Sequence, residues 1–255
     1  MKVIKVIILY FLLFTSFTYS QEKYKGLIEY SLIKNTGSEE VIKEYLLLNE
    51  TNSFYFTYNK NEDSFEKLSQ NFEFKYSNNR LNFRNTNNEF FELRTLKNLY
   101  YTIDKSPKIE WKIGKEKKEI LGYNCVKAEG FFRGRLYTVW FAPDIALGYG
   151  PWKLNGLPGL ILEAVDNNNY FHYIATRISL NSEFAVPKVL QDKMSTETPI
   201  TYKEFIRVED DFFIDLRNKV KATYPKGTIF KEESSIRDLL KETSFEWDGK
   251  KEKLK

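Results

Sequence analysis

Short runs in which apolar and polar residues alternate fill the first half of the chain. The longest are Lys25 to Ile33 and Ser53 to Tyr58, and shorter runs cover Tyr45 to Leu48 and Phe72 to Tyr76. Alternation with a period of two and many aromatic residues is typical of strands with one buried face. Clusters of Asn, Ser, Thr and Gly separate the runs. The sequence therefore predicts a series of antiparallel hairpins.

The second half of the chain continues this pattern. Strands are predicted at Cys125 to Phe132 and Leu136 to Phe141, joined by a turn at Arg133-Gly134. Another hairpin is predicted to pair Leu160 to Val165 with Tyr170 to Ala175. The expected fold class is mainly β, of the α+β type. It is a curved antiparallel sheet or a partly open β-barrel, with one C-terminal helix packed on it.

The predicted helix follows a different period. Thr201-Tyr202-Lys203-Glu204 has the spacing of a capping box, in which the threonine hydroxyl and the glutamate carboxylate satisfy each other's free backbone amides. Apolar residues then recur at helical intervals, so we expect a helix from about Tyr202 to about Ala222. From residue 231 to 255 charged residues dominate and the apolar residues are scattered. This pattern predicts a polar, frayed tail.

The N-terminal residues have the pattern of a secretory signal peptide. Two lysines precede an apolar run from Val6 to Phe14, and small residues precede Gln21. The run is shorter than the roughly 20 residues that a membrane-spanning helix requires. Residues 1–20 are therefore expected to direct export to the periplasm, the outer membrane or the extracellular space. Residues 21–230 are expected to form a single β-rich domain, with no transmembrane segment in the mature chain.

Composition and charge exclude several classes of function. The 255 residues contain 39 Lys and Arg against 35 Asp and Glu, which does not resemble the charge of a nucleic-acid-binding protein. One His and one Cys leave no intramolecular disulfide and no site with two histidines. No glycine-rich nucleotide-binding motif occurs either. We therefore expect no metal, no cofactor and no nucleic-acid partner, and the composition points away from catalysis.

The most unusual segment runs from Gly148 to Ile161. Four glycines and two prolines surround Trp152, so the segment must be a shaped loop. Leu157-Pro158-Gly159-Leu160 fits a type II turn, because Pro fixes φ at the second position and Gly accepts a positive φ at the third. One interpretation is structural: two turns lead the chain into a buried strand, and the loop closes the end of the sheet. The other is a rigid loop that presents its apolar groups to a partner. The residues of this candidate binding or structural loop are Trp152, Gly156, Leu157, Pro158, Gly159 and Leu160.

The same segment resembles a known signature. Gly156-Leu157-Pro158-Gly159-Leu160-Ile161, preceded by Gly150-Pro151-Trp152-Lys153, is similar to the signature of the GLPGLI family of exported proteins from Bacteroidetes-type bacteria. The segments Ile120 to Ala128 and Tyr137 to Pro143 resemble the central block of that family. The resemblance implies export in a bacterium with two membranes. It implies no catalytic residue.

Isolated polar residues are weak candidates for chemistry. His172 lies in a predicted strand without a nucleophile motif, so we interpret it as a structural or surface histidine. Cys125 is interpreted as a buried and unreactive strand residue. Arg133 and Arg135 flank a predicted turn, where they either face solvent or hold an anion.

Two classes of function stay open. The first is a non-catalytic binding, carrier or accessory protein of the cell envelope. Its partner would be an apolar small molecule or lipid, or an outer-membrane protein complex. The second is a carboxylate-dependent hydrolase of the envelope, in which two carboxylates must converge in one pocket. Glu163 is the best single candidate for that role, and the sequence assigns no catalytic residue.

Overall fold

Strands make up about half of the described part of the chain. The computed structural model describes residues 23–24, 26–57, 81–180, 184–185, 192, 195–230 and 236–249, so the predicted signal peptide and the predicted strand at Phe72 to Tyr76 lie outside it. The strands are β1 (Lys23–Tyr24), β2 (Gly26–Asn35), β3 (Glu39–Leu48), β4 (Ser53–Thr57), β5 (Leu81–Arg84), β6 (Phe90–Thr95), β7 (Leu99–Asp104), β8 (Trp111–Ile120), β9 (Tyr123–Phe132), β10 (Arg135–Ala142), β11 (Leu160–Asp166), β12 (Phe171–Ser179), β13 (Phe184–Ala185) and β14 (Ile200–Thr201). Helix α1 (Tyr202–Ala222) and a 3-10 turn (Ile236–Leu239) follow.

Twelve of these strands form one open sheet. Their order is β14-β7-β6-β5-β4-β3-β2-β12-β11-β10-β9-β8, and β1 pairs separately with β13. Neighbouring strands are antiparallel except β14 and β7, which are parallel. The prediction of a mainly β fold with an antiparallel sheet and a C-terminal helix is confirmed. The sheet does not close on itself.

The alternating pattern places apolar side chains on both faces of the sheet. Along β2, Ile28, Tyr30 and Leu32 belong to the larger core, whereas Leu27 belongs to a smaller one. We call the face that carries the larger core the inner face. Each fully buried side chain of this size contributes roughly 1.5–3 kcal/mol to stability. Where both faces are covered, β2 is buried from Gly26 to Tyr30 and β3 from Glu44 to Leu48.

The predicted turn at Arg133-Gly134 is confirmed. It joins β9 to β10 in a two-residue hairpin in which Phe132 pairs with Arg135. Both turn residues have positive φ, 40° at Arg133 and 90° at Gly134. Such turns suit hairpins because their twist matches that of the strands.

Helix α1 begins where the capping box predicts. The Thr201 backbone amide donates to the Glu204 carboxylate at 2.8 Å, and the Glu204 amide donates to the Thr201 hydroxyl at 3.2 Å. Its buried residues, Tyr202, Phe205, Ile206 and Glu209, all lie in its first half. The helix therefore packs on β7 and β14 by its N-terminal half and projects beyond them. Within the described residues, no helix combines the length and the apolar character needed to cross a bilayer.

Residues 236–249, which we call the C-terminal strap, differ from the frayed tail that the sequence predicts. The strap lies against the β9–β10 turn, where the Arg133 carbonyl accepts a hydrogen bond from the Thr243 amide at 2.9 Å. Phe245 is buried and stacks on Trp247 with ring centroids 4.7 Å apart. From the sequence alone, the charged residues of this segment are expected to be solvated. In the structure they are fixed in place because they pair with buried residues on strands that are distant in sequence.

Candidate functional site

An ion cluster surrounds Lys153, a residue of the glycine- and proline-rich loop. The Lys153 side chain is 0% exposed, and its Nζ donates to Asp104 Oδ2 at 2.6 Å and to Glu242 Oε1 at 3.3 Å. The same nitrogen lies 2.7 Å from Glu92 Oε1 and 3.9 Å from the ring centroid of Tyr202. Strands β6 and β7, the loop and the strap thus each supply one charge.

Arg133 completes this cluster from the β9–β10 turn. Its guanidinium forms two parallel hydrogen bonds to Asp104, both 2.7 Å long, and one to Glu242 Oε1 at 2.5 Å. A further bond of 3.0 Å reaches Glu246 in the strap. We call Glu92, Asp104, Arg133, Lys153 and Glu242 the internal ion cluster. The expectation that Arg133 faces solvent or holds an external anion is wrong, because protein carboxylates occupy its donors.

Arg135 is also buried rather than solvated. It donates to Asp166 Oδ2 at 2.7 Å and to the backbone carbonyls of Asp238 and Leu240 at 2.7 and 2.6 Å. The last two contacts fasten the strap to β10. Both arginines that flank the turn therefore serve to hold the strap in place.

Two carboxylates of the cluster, Asp104 and Glu242, have lowered pKa values. Burial alone would raise the pKa of Asp104, but Lys153 and Arg133 outweigh burial and hold this pKa below its usual range. The same two cations outweigh burial at Glu242, whose pKa is also lowered. In turn, the surrounding carboxylates outweigh burial at Lys153 and raise the pKa of its ammonium group. All three groups are ionised at neutral pH.

Most of the candidate loop is packed inside the protein, whereas Gly156 and Pro158 are exposed. Trp152 is 8% exposed and meets Phe132 edge to face at a centroid distance of 5.6 Å, and Leu157 and Leu160 are buried. The Ile161 amide donates to the Tyr149 carbonyl at 2.9 Å, which fixes the two ends of the loop to each other. These contacts favour the structural interpretation over the presentation of Trp152 to a partner.

The prediction of a type II turn at Leu157-Pro158-Gly159-Leu160 is wrong. Gly159 does not have the positive φ that this turn requires, and the Leu160 amide donates to the Ile145 carbonyl at 3.0 Å. A Cβ atom on Gly159 would lie 2.3 Å from the Ala142 carbonyl oxygen. Glycine is therefore needed here for close backbone approach. The positive φ of this loop lies instead at Gly156, at 93°, and at Trp152, at 55°.

Glu163, the carboxylate nominated for a hydrolase, lies in a separate and partly exposed group. Its Oε2 accepts a hydrogen bond from Lys118 Nζ at 2.6 Å, and its Oε1 lies 3.2 Å from His172 Nε2. The hydrogen bond with His172 is the main cause of the lowered pKa of Glu163, and Lys118 lowers it further.

Burial raises the pKa of Cys125 to about 11, which makes its thiol a poor nucleophile. In the described ranges, no three or more His, Cys, Asp or Glu side chains are arranged to hold a metal ion.

One hollow adjoins the internal ion cluster, and a second one adjoins the first, with Glu44, Thr57, Leu240 and Lys241 in the lining of both. A polar pocket of about 50 Å³, enough for a few water molecules, lies against Glu92, Arg94 and Glu242. A larger open hollow of about 440 Å³, which we call the lateral cleft, lies between β2, β3, the strap and α1. The lateral cleft is lined by Leu32, Lys34, Thr36, Glu40, Ile42, Glu44, Thr57, Phe171, Phe213, Ile236, Leu239, Leu240 and Lys241.

The sequence does not predict the internal ion cluster. Of its five members, only Arg133 stands out in the sequence, at a turn where it is expected to face solvent or hold an anion. One signal was present: Lys153 stands between Trp152 and Leu154 in a segment otherwise made of glycine, proline and apolar residues. A lysine in such a setting is a candidate for burial, and a buried ammonium group needs paired carboxylates from elsewhere in the chain.

Comparison with known proteins gives one family match. The family described as N-glycanase peptide, N-terminal domain, matches residues 42–204, which is more than half of the chain. No curated protein matches the sequence.

Solved structures provide distant similarities. A structure of PNGF-II in space group C2 has 23% sequence identity and a TM-score of 0.47, with 69% of this chain and 30% of that chain covered. A structure of PNGF-II in space group P21 has 21% identity and a TM-score of 0.48, with 72% and 32% covered. The chain thus spans about a third of the length of these solved chains.

Proposed function

Because the chain belongs to the family of N-glycanase N-terminal domains, we propose that it is a non-catalytic binding or accessory module of the cell envelope. Its role would be to hold a ligand or a partner, while any chemistry takes place on another domain or protein. The signal-peptide pattern of residues 1–20 and the resemblance to the GLPGLI signature support export. Substrates of N-glycanases are one context in which such a module would act.

The observation that carries this proposal is the state of the internal ion cluster. A general acid needs a carboxyl pKa raised toward neutrality, whereas the pKa values of Asp104 and Glu242 are lowered. Both groups are buried and are already bound to Lys153 and Arg133. Carboxylates in this condition stabilise the fold and are poorly suited to proton transfer. The hydrolase alternative thus lacks support from the residues that converge most closely.

The lateral cleft supports a binding role. Its volume of about 440 Å³ falls in the range of small-molecule sites, roughly 300–1,000 Å³. The apolar side chains of Ile42, Phe171 and Phe213 would contact the body of a ligand. Lys34 and Lys241 provide cations near it, and each also lies near a carboxylate of the lining, Glu40 at 3.8 Å and Glu44 at 3.6 Å. We therefore propose a small amphiphile as ligand, with an apolar chain and an anionic or polar head.

Native mass spectrometry with dodecanoate as the probe tests this site. We expect a one-to-one adduct with the wild-type chain and none with Phe213→Ala, because Phe213 lines the lateral cleft. The matched control is Phe212→Ala, which removes a ring beside Phe213 but outside the cleft lining, and which should retain the adduct. Absence of any adduct with the wild type would contradict the proposed ligand class.

A second measurement tests the non-catalytic assignment. The purified chain is incubated with an N-glycosylated peptide, and release of the glycan is followed by mass spectrometry. We expect no release above the rate without protein, since the candidate carboxylates are paired and ionised. Release that rises in proportion to the concentration of this chain would overturn the assignment.

A further inference from the structure

From Leu216 onward, α1 and the turn after it extend beyond the sheet with their residues exposed. Every residue from Leu216 to Ile229 is exposed, although the segment includes several large apolar side chains. Ile229 is 93% exposed, and Leu216, Val220 and Tyr224 are each exposed by at least two-fifths. We call the segment Leu216 to Phe230 the helix tip. Apolar residues that are exposed singly are common, but a group of them this close together is typical of an interaction surface.

The helix tip carries positive charge only. Arg217, Lys219, Lys221 and Lys226 lie within it, and no Asp or Glu does. Lys219 forms an ion pair at 2.8 Å with Asp215, in the turn of α1 before the tip, so it is partly neutralised. The remaining three cations concentrate positive charge on the tip, whereas the formal net charge of the whole chain is only +4.

Cations and apolar groups are arranged side by side along the helix. Leu216 and Val220 are four residues apart and therefore lie on one face. Arg217 and Lys221 have the same spacing and flank that face. Tyr224 and Ile229 extend the apolar surface at the end of the helix, where the chain turns at Gly227. An apolar stripe bordered by Lys and Arg is typical of helices that lie in a membrane interface.

We propose that the helix tip docks on an anionic lipid surface, with Val220, Tyr224 and Ile229 entering the headgroup region and the cations contacting lipid phosphates. A second copy of this chain fits the tip less well, because pairing two tips would bring like charges together. The apolar side chains also protrude separately between cations, and a deformable lipid interface accepts that shape more readily than a rigid protein surface. This docking would be peripheral and independent of the lateral cleft.

Vesicle co-sedimentation tests the proposal with the purified chain. We expect binding to vesicles of equal parts phosphatidylglycerol and phosphatidylcholine, little binding to pure phosphatidylcholine, and weaker binding as salt is raised. Each cation removed should weaken binding by about fivefold, so Arg217→Gln with Lys221→Gln should weaken it by about 25-fold. Ile229→Ser should weaken it by about tenfold through lost apolar burial.

A control pair separates the helix tip from the net charge. Lys112→Gln with Lys115→Gln removes two exposed cations from β8 and should leave vesicle binding nearly unchanged. Equal losses from both pairs would overturn the proposal, as would failure of the wild type to bind anionic vesicles at low salt. Self-association that Ile229→Ser abolishes, in the absence of vesicle binding, would assign the tip to a dimer interface instead. Phe213→Ala should retain vesicle binding, so this test and the test of the lateral cleft can fail separately.

Discussion

Lys153→Met is expected to lower the free energy of unfolding at neutral pH by about 3–5 kcal/mol, a large fraction of the stability of a typical domain. Methionine fills a similar volume and keeps the apolar stem of the side chain. It removes the ammonium group that lies within 3.3 Å of carboxylates from Asp104, Glu92 and Glu242. Those charges would stay buried with fewer partners, and that loss dominates the change. Urea denaturation followed by circular dichroism measures it.

The effect of Lys153→Met should shrink in acid. In the wild type the folded pKa values of Asp104 and Glu242 lie below their unfolded values near 4, so their stabilising contribution is present above about pH 4. That contribution is lost as the pH falls through the lower folded values. Without Lys153 the folded pKa values rise, and protonation relieves the uncompensated charge. The difference between variant and wild type is therefore expected to be smaller at pH 4 than at pH 7.

A lysine at the surface provides the control for Lys153→Met. Lys127 pairs with Glu116 at 2.9 Å on the exposed side of β9, so Lys127→Met should change stability little. If the two variants lose the same stability, or if the loss at Lys153 does not depend on pH, the cluster does not stabilise the fold by charge compensation.

Gly159→Ala is expected to destabilise the protein by about 3 kcal/mol. The added Cβ would lie 2.3 Å from the Ala142 carbonyl oxygen and 2.9 Å from Pro143 Cα, which are both backbone atoms. A backbone contact of this kind cannot be relieved by a side-chain rotation, so β10 or β11 must move. Thermal unfolding measures the loss.

Gly156→Ala is the matched comparison within the same signature. Gly156 is exposed with φ of 93°, and the nearest atom to an added Cβ is Trp111 Nε1 at 3.9 Å. The cost is then mainly that of a left-handed residue, about 1–2 kcal/mol. If Gly156→Ala loses as much stability as Gly159→Ala, close backbone approach does not set Gly159 apart, and the argument for glycine at that position is contradicted.

Local patterns predicted the elements of the fold. The alternation in Lys25 to Ile33 placed β2, and Arg133-Gly134 gave the hairpin between β9 and β10. The capping box gave the first residue of α1. Each of these signals arises from residues within a few positions of one another, so tertiary contacts were not needed to read them.

The internal ion cluster could not be predicted in the same way. Arg133 and Glu242 are 109 residues apart, and Lys153 and Asp104 are 49 apart. No periodicity connects such positions, and a charged residue read in isolation is expected to be solvated. Gly159 was misassigned for a related reason. Glycine is required at position 159 because the backbone of Ala142 on the neighbouring strand lies too close for a Cβ atom. The local sequence, in contrast, favours a common turn.

The C-terminal strap has a consequence for the order of folding. Glu242 follows Lys153 by 89 residues, so Lys153 and Arg133 precede it when a chain crosses a membrane from its N-terminus. Until Glu242 arrives, these two cations have only part of their counter-charge. Stable packing of the sheet must therefore wait for the strap, and a chain cut before Glu242 would expose its apolar core to chaperones and proteases.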